Sequence, residues 1–202
     1  MYVEYLEKGR LNMDYHDEKL VALKLKKHAL KHTDIKKDGI YVNDEFIKFQ
    51  LTEVIEDIAL YLPETFIEMP EDIAVIKYPS SNRPQIIKTS LKTDVNFTFN
   101  LFPEVISQEE AQAYITLQKE MIKKTNPAFR FIEEREGMTQ QERTVVMFDF
   151  ISYGLDDQFY NRMCLVPLHC GALQMNFNCL DRDCEEWKEA VWQAFLTIEE
   201  VV

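Results

Sequence analysis

The residue types best suited to chemistry lie near the C-terminal end, where Cys164, His169 and Cys170 fall close together. A thiol beside an imidazole is the minimal equipment for nucleophilic attack, the ring taking the proton and the thiolate attacking. Asp149 would orient the ring if the fold brought it near. A reactive thiolate also needs an electropositive setting, and no basic residue immediately flanks Cys170. The stronger reading is a histidine at a strand-to-turn corner bonding the backbone. All four cysteines, Cys164, Cys170, Cys179 and Cys184, fall in the last forty residues, spaced C-x5-C-x8-C-x4-C. No C-x2-C pair presents two thiolates from one knuckle, as zinc sites usually do. Cys179 shares an alternation with Met175 and Phe177, so the thiols read as reduced, buried and structural.

Other polar groups carry weaker signals. Asp156-Asp157 and Asp181-Arg182-Asp183 offer oxygen ligands without EF-hand spacing, and turn and cap roles explain them. His28 and His32 are four apart, which on a helix could chelate zinc, but the H-E-x-x-H glutamate is missing; His16 stands alone. The most informative polar loop is Lys77-Tyr78-Pro79-Ser80-Ser81-Asn82-Arg83-Pro84, with two cations, a phenol and a proline-restrained backbone. Trp192 lies beside the inward stripe of the last helix, with Leu196, where an interface residue would also sit. Lys77, Tyr78, Arg83 and Trp192 are therefore the partner-binding candidates. No catalytic residue, metal ligand or cofactor is assigned.

The elements that position these residues show in the hydrophobic periods. Leu173, Met175, Phe177 and Cys179 alternate with Gln174, Asn176 and Asn178, a half-buried strand. Trp187, Ala190, Val191, Ala194, Phe195 and Ile198 then recur at helical spacing, and Asp183 with Glu186 reads as the cap of that helix. Val95, Phe97, Phe99 and Leu101 mark a second strand. Ser107-Gln-Glu-Glu110 is a capping box that opens a helix over about 107–124, with an inner face of Ala111, Tyr114, Ile115, Gln118, Met121 and Ile122. Strands are expected from Phe129, over Arg143–Tyr153 and over Phe159–Leu168, with a turn at 137–140. IALYLP and TFIEMP read as edge strands closed by Pro63 and Pro70, and IAVIKY as a further short apolar run. Upstream, Asp38-Gly39 and Asn43-Asp44 are turn signals before a strand over 45–52. The period over Leu20–Leu30 fits either helix or strand.

With 202 residues, 46% of them hydrophobic, the chain can fill a real core, whereas five glycines argue against a glycine-cradled phosphate site. The net charge of -12 opposes polyanions, so neither nucleic acid nor an anionic membrane is an expected partner. Lys19–Lys37 is +6, leaving -18 elsewhere, and reads as a solvated basic face. The opening residues lack the apolar stretch of a secretory signal, and the expected location is cytoplasmic. The expected organisation is an N-terminal extension over 1–57 and an α+β domain over 58–202, an antiparallel sheet flanked by helices.

Four stretches together resemble the PsbP-like fold group, which includes photosystem accessory proteins, DcrB-type lipoproteins and a yeast Ran-binding nucleotide-release factor. They are TFIEMPEDIAVIKYPS, VNFTFNLFPEVISQEEAQAYITLQKEM, the pair RTVVMFDFISYG and FYNRMCLVPL, and LQMNFNCLDRDCEEWKEAVWQAFLTIEE, covering about 66–200. The resemblance implies an α-β-α sandwich whose members mostly bind or assist rather than catalyse, and it transfers no site residues. The expected function is a non-catalytic protein-interaction domain, an accessory or an inhibitor of immunity type. The alternative is a small enzyme or metal-binding protein using Cys164, His169 and Cys170.

Overall fold

Two of the expected alternations become neighbouring strands at the centre of the protein. In the computed structural model, which describes residues 19–21, 33–43 and 45–201, twelve strands are labelled in chain order. They are β1 Ile40–Val42, β2 Glu45–Ile47, β3 Phe49–Ile55, β4 Ile58–Pro63, β5 Ile67–Glu68, β6 Ile86–Thr89, β7 Asn96–Phe102, β8 Arg130–Met138, β9 Thr144–Tyr153, β10 Gln158–Pro167, β11 Ala172–Leu180 and β12 Glu199–Glu200. The α-helices whose whole length is described are α1 Glu71–Lys77, α2 Gln108–Thr125 and α3 Cys184–Leu196, the last entered through a 3-10 turn at Asp181–Asp183. A seven-stranded antiparallel sheet runs β5-β6-β7-β11-β10-β9-β8, a small sheet runs β12-β4-β3, and β1 and β2 form a hairpin.

The period-2 pattern gives the large sheet two covered faces. On one, Phe97, Phe99, Leu173, Met175, Phe177 and Cys179 join Trp187, Val191, Ala194 and Phe195 of α3 and Ile58, Leu60 and Leu62 of β4 in one buried cluster. The Phe177 ring lies 4.9 Å from Phe97 and 5.6 Å from Trp187, so aromatic packing seats the last helix as its period predicts. On the opposite face, Ala111 and Ile115 of α2 pack on Val146, Phe148, Phe150 and Leu165, while Ala74 of α1 packs on Ile87 and Met69. This is the α+β sandwich expected.

The Ser107 capping box forms with both of its bonds, Glu110 N–H to the Ser107 hydroxyl and Ser107 N–H to the Glu110 carboxylate. Several local expectations are corrected. IAVIKY lies in a helix rather than an extended run: Pro70 stands at the N-cap and Glu71 and Asp72 oppose the positive helix end. IALYLP is the middle strand of its small sheet, since β12 takes the side opposite β3. Asp183 makes no capping bond; its carboxylate accepts from the Asn43 side-chain amide at 3.1 Å, and Glu186 accepts from the Asn43 N–H. The turn expected at 137–140 falls at 140–142, and Met121 points to solvent. Ile35, Ile40, Val42, Phe49 and Val54 belong to the same buried cluster as α3. The expected division at 57/58 therefore falls inside the β3–β4 hairpin. The ambiguous stretch is helical at 19–21; the remainder of Leu20–Leu30, with His16, His28 and His32, lies outside the described residues.

Candidate functional site

The loop that closes α1 is built on the polar face of the central strands. Asn96, Thr98 and Asn100 of β7 stand opposite Asn178, Asn176 and Gln174 of β11, so two amide-rich alternations meet in register. They bond one another. The Thr89 hydroxyl donates to Asn96 at 2.7 Å, the Asn96 amide to Asn178 at 2.9 Å, and the Asn178 amide to the Tyr78 hydroxyl at 3.3 Å. The Asn176 amide donates to Thr98 at 3.1 Å. A buried polar network with its members paired holds one arrangement, so this relay orients the Tyr78 ring. Burial pushes the phenol's pKa up, opposed by the Asn178 bond. The loop is pinned at both ends: Arg83 Nε donates to the Tyr78 carbonyl at 3.1 Å, and Lys77 donates to the Thr93 carbonyl. Burial lowers the Lys77 pKa against the charge of Asp94.

Lys77, Tyr78 and Arg83 are thus brought together, and Trp192 is not among them. Its ring packs against β8, with the Arg135 guanidinium 5.5 Å above it, and a Cβ at Gly137 would come within 2.6 Å of it. The Asn and Thr partners of Tyr78 escaped sequence reasoning. The signal, Asn-x-Thr-x-Asn and Gln-x-Asn-x-Asn, was visible, but that they face each other depends on a register between distant strands.

The thiol and imidazole candidates do not converge. Cys164 is fully buried on the face covered by α3, and burial pushes its pKa far above the usual range. Cys179 behaves alike, and burial pushes Cys184 up to about 11. Cys170 is exposed, yet its pKa is raised, by burial of the sulfur and then by the Glu200 charge, the opposite of nucleophile activation. His169 bonds Glu200 at 2.9 Å and contacts Arg143. Glu200 also accepts from the His169 and Cys170 amides at 2.8 and 3.2 Å, fastening β12 to the β10–β11 turn. Asp149 is occupied elsewhere. It receives two bonds from Arg162, both at 2.8 Å, and one from the Tyr160 hydroxyl at 2.6 Å; Arg162 also donates to the Lys188 carbonyl of α3 at 2.7 Å. Arg182 pairs with Asp157 at 3.7 Å. Among the described residues no cluster of three or more His, Cys, Asp or Glu could hold a metal, and no helix is long and apolar enough to cross a membrane.

On the α2 side of the amide floor is a cavity of about 270 Å³ lined by Phe102, Glu104, Ile106, Tyr114, Leu165 and Ala172. No protein-family model and no curated protein matches the chain. Solved structures do. The solution structure of cyanobacterial PsbP (CyanoP) from Synechocystis sp. PCC 6803 aligns with a TM-score of 0.52 at 8% identity, over 80% of this chain and 98% of that one. LpqN of Mycobacterium tuberculosis, described as involved in cell envelope biogenesis, aligns with a TM-score of 0.51 at 14% identity, over 78% and 93%. The chain has the PsbP-like fold.

Proposed function

We propose that this PsbP-like chain is a non-catalytic accessory domain that works in the cytoplasm by binding another protein. The observation that carries the reading is the outer side of α1. Val75 and Ile76 are 48% and 79% exposed there, beside a loop held rigid by the Arg83 and Lys77 bonds. Two branched apolar side chains on a pre-ordered support lose little freedom on binding, which is what an interface anchor requires. The neighbouring Tyr78 network adds a fixed, uncharged support beside this anchor, the Asn178 amide donating to the Tyr78 hydroxyl at 3.3 Å. Four free cysteines, three of them buried, suit a reducing compartment. An inhibitor of immunity type is one form of this role, and the charge of -12 turns it away from polyanions.

Affinity capture of the tagged full chain from lysate of its own cells, at low salt, tests the proposal. A stoichiometric protein is expected, with recovery falling at least ~10-fold for Val75→Asp/Ile76→Asp, because a charge would be buried in the contact. Unchanged circular dichroism would show that the variant folds. No stoichiometric partner, or equal recovery by a folded double variant, would overturn it.

A further inference from the structure

We infer that the cavity between α2 and the sheet binds a small organic amine, its hydrocarbon body inside and its ammonium group on the Glu104 carboxylate. This goes beyond the partner-binding role and does not rest on it. The inner wall of the cavity belongs to the core, since Leu165 and Ala172 are 1% and 4% exposed. Phe102, Ile106 and Tyr114 complete a largely hydrocarbon lining, and the exposed Glu104 is its one charged member. At the ~30 Å³ that a liquid water occupies, 270 Å³ is room for about nine non-hydrogen atoms. A short alkyl chain, or one ring on a short arm, matches that size.

The rim is the loop over 103–106, and it is fixed at both ends. Before it, Phe102 pairs with Ala172, and Gly171 packs so closely that a Cβ there would collide with the Phe102 carbonyl oxygen. After it, Ser107 and Glu110 exchange the two capping bonds of α2. Glu110 is thereby occupied, whereas Glu104 has no hydrogen-bond or ion-pair partner among the described residues. The Tyr114 hydroxyl accepts from the Gln118 amide at 2.8 Å, which holds its ring in place. Gln85 bonds Asn100 and Leu101 next to Phe102, but Arg83, two residues before it, has its Nε on the Tyr78 carbonyl. A ligand in the cavity therefore meets an unpaired carboxylate and no cation in the lining. Such a site favours a cation that carries its own apolar body: burial of the hydrocarbon supplies affinity and the charge supplies selectivity. The net charge of -12 also draws cations towards the surface.

Titration calorimetry of the full chain with n-octylammonium, n-octanoate and 1-octanol, which share one hydrocarbon chain, tests the inference. A single saturable site for n-octylammonium is expected, with n-octanoate at least ~10-fold weaker because its charge is reversed. Ala172→Phe, which fills the cavity, should weaken n-octylammonium at least ~10-fold, and Glu104→Lys should invert the order of the two ions. Because Glu104 is exposed, its variant keeps the test decisive if Ala172→Phe fails to fold. No saturable binding of n-octylammonium, or an affinity unchanged by Glu104→Lys or by a folded Ala172→Phe, would overturn the inference. Binding of 1-octanol as tight as that of n-octylammonium would show that the carboxylate takes no part, and tighter binding of n-octanoate would assign the charge selectivity to Arg83; either would overturn it as well.

Discussion

Among the described residues Arg162 is a fully buried charged side chain, and its fate follows from where the alternation placed it. In FYNRMCLVPL it shares a face with Tyr160 and Cys164, so a guanidinium had to enter the core; in VVMFDFI, Asp149 stands likewise among apolar neighbours. Two opposite charges stranded on apolar faces were a legible hint of each other. Their pairing through β9 and β10 was not, because it depends on register. Arg162→Met strands the Asp149 carboxylate and is expected to lose ~3–5 kcal/mol in urea unfolding. Arg162→Met/Asp149→Leu should lose much less than Arg162→Met, and an equal or greater loss would contradict a charge-pair role. Glu200 gives a pH-dependent counterpart. Burial raises its pKa, but bonds from His169 and the His169 and Cys170 amides outweigh that and hold it below its ordinary 4.5. A depressed carboxylate contributes stability above the unfolded value and loses it as pH falls through the folded one. The Tm advantage of the native chain over Glu200→Gln should therefore be full at pH 7 and shrink below about 4.5. A gap constant down to pH 3 would refute the latch.

Elements with strong periods, such as α2, α3, β7 and β11, were readable; those that failed did so for local reasons. The β3–β4 turn is Glu56-Asp57 with φ of 40° and 59°, a left-handed pair that normally advertises itself with Asn or Gly. Without that signature, β3 was severed from its partner strand. In α1, three β-branched residues in seven argue for a strand, and only Pro70, Glu71 and Asp72 told otherwise. Where the sequence signal was sound, its energetic share can be measured. Ser107→Ala removes the α2 cap and should cost ~1 kcal/mol by chemical denaturation. A cost near zero would mean the capping box is ornamental. Gly137→Ala puts a Cβ within 2.6 Å of Trp192 and 2.8 Å of Leu196. A lower Tm with a shift in tryptophan emission is expected, and unchanged emission would show that the ring does not press on β8.

At the scale of the whole molecule, the large sheet is covered differently on its two faces. One face is sealed by α3 and the small sheet around aromatic residues. The other is shared by α1 and α2, with a paired amide floor and a cavity alongside them. The architecture was legible because each layer carries its own period. The floor was not, because it exists only where β7 meets β11. The central claim is that the α1 side of this second face is where a protein partner docks. Site-specific photocross-linking in the native cells tests it most directly, with p-benzoylphenylalanine at Ile76 and, as reference, at Leu155. The account predicts one discrete protein adduct from Ile76 and none from Leu155; no adduct at Ile76, or the same adduct from both positions, would contradict it.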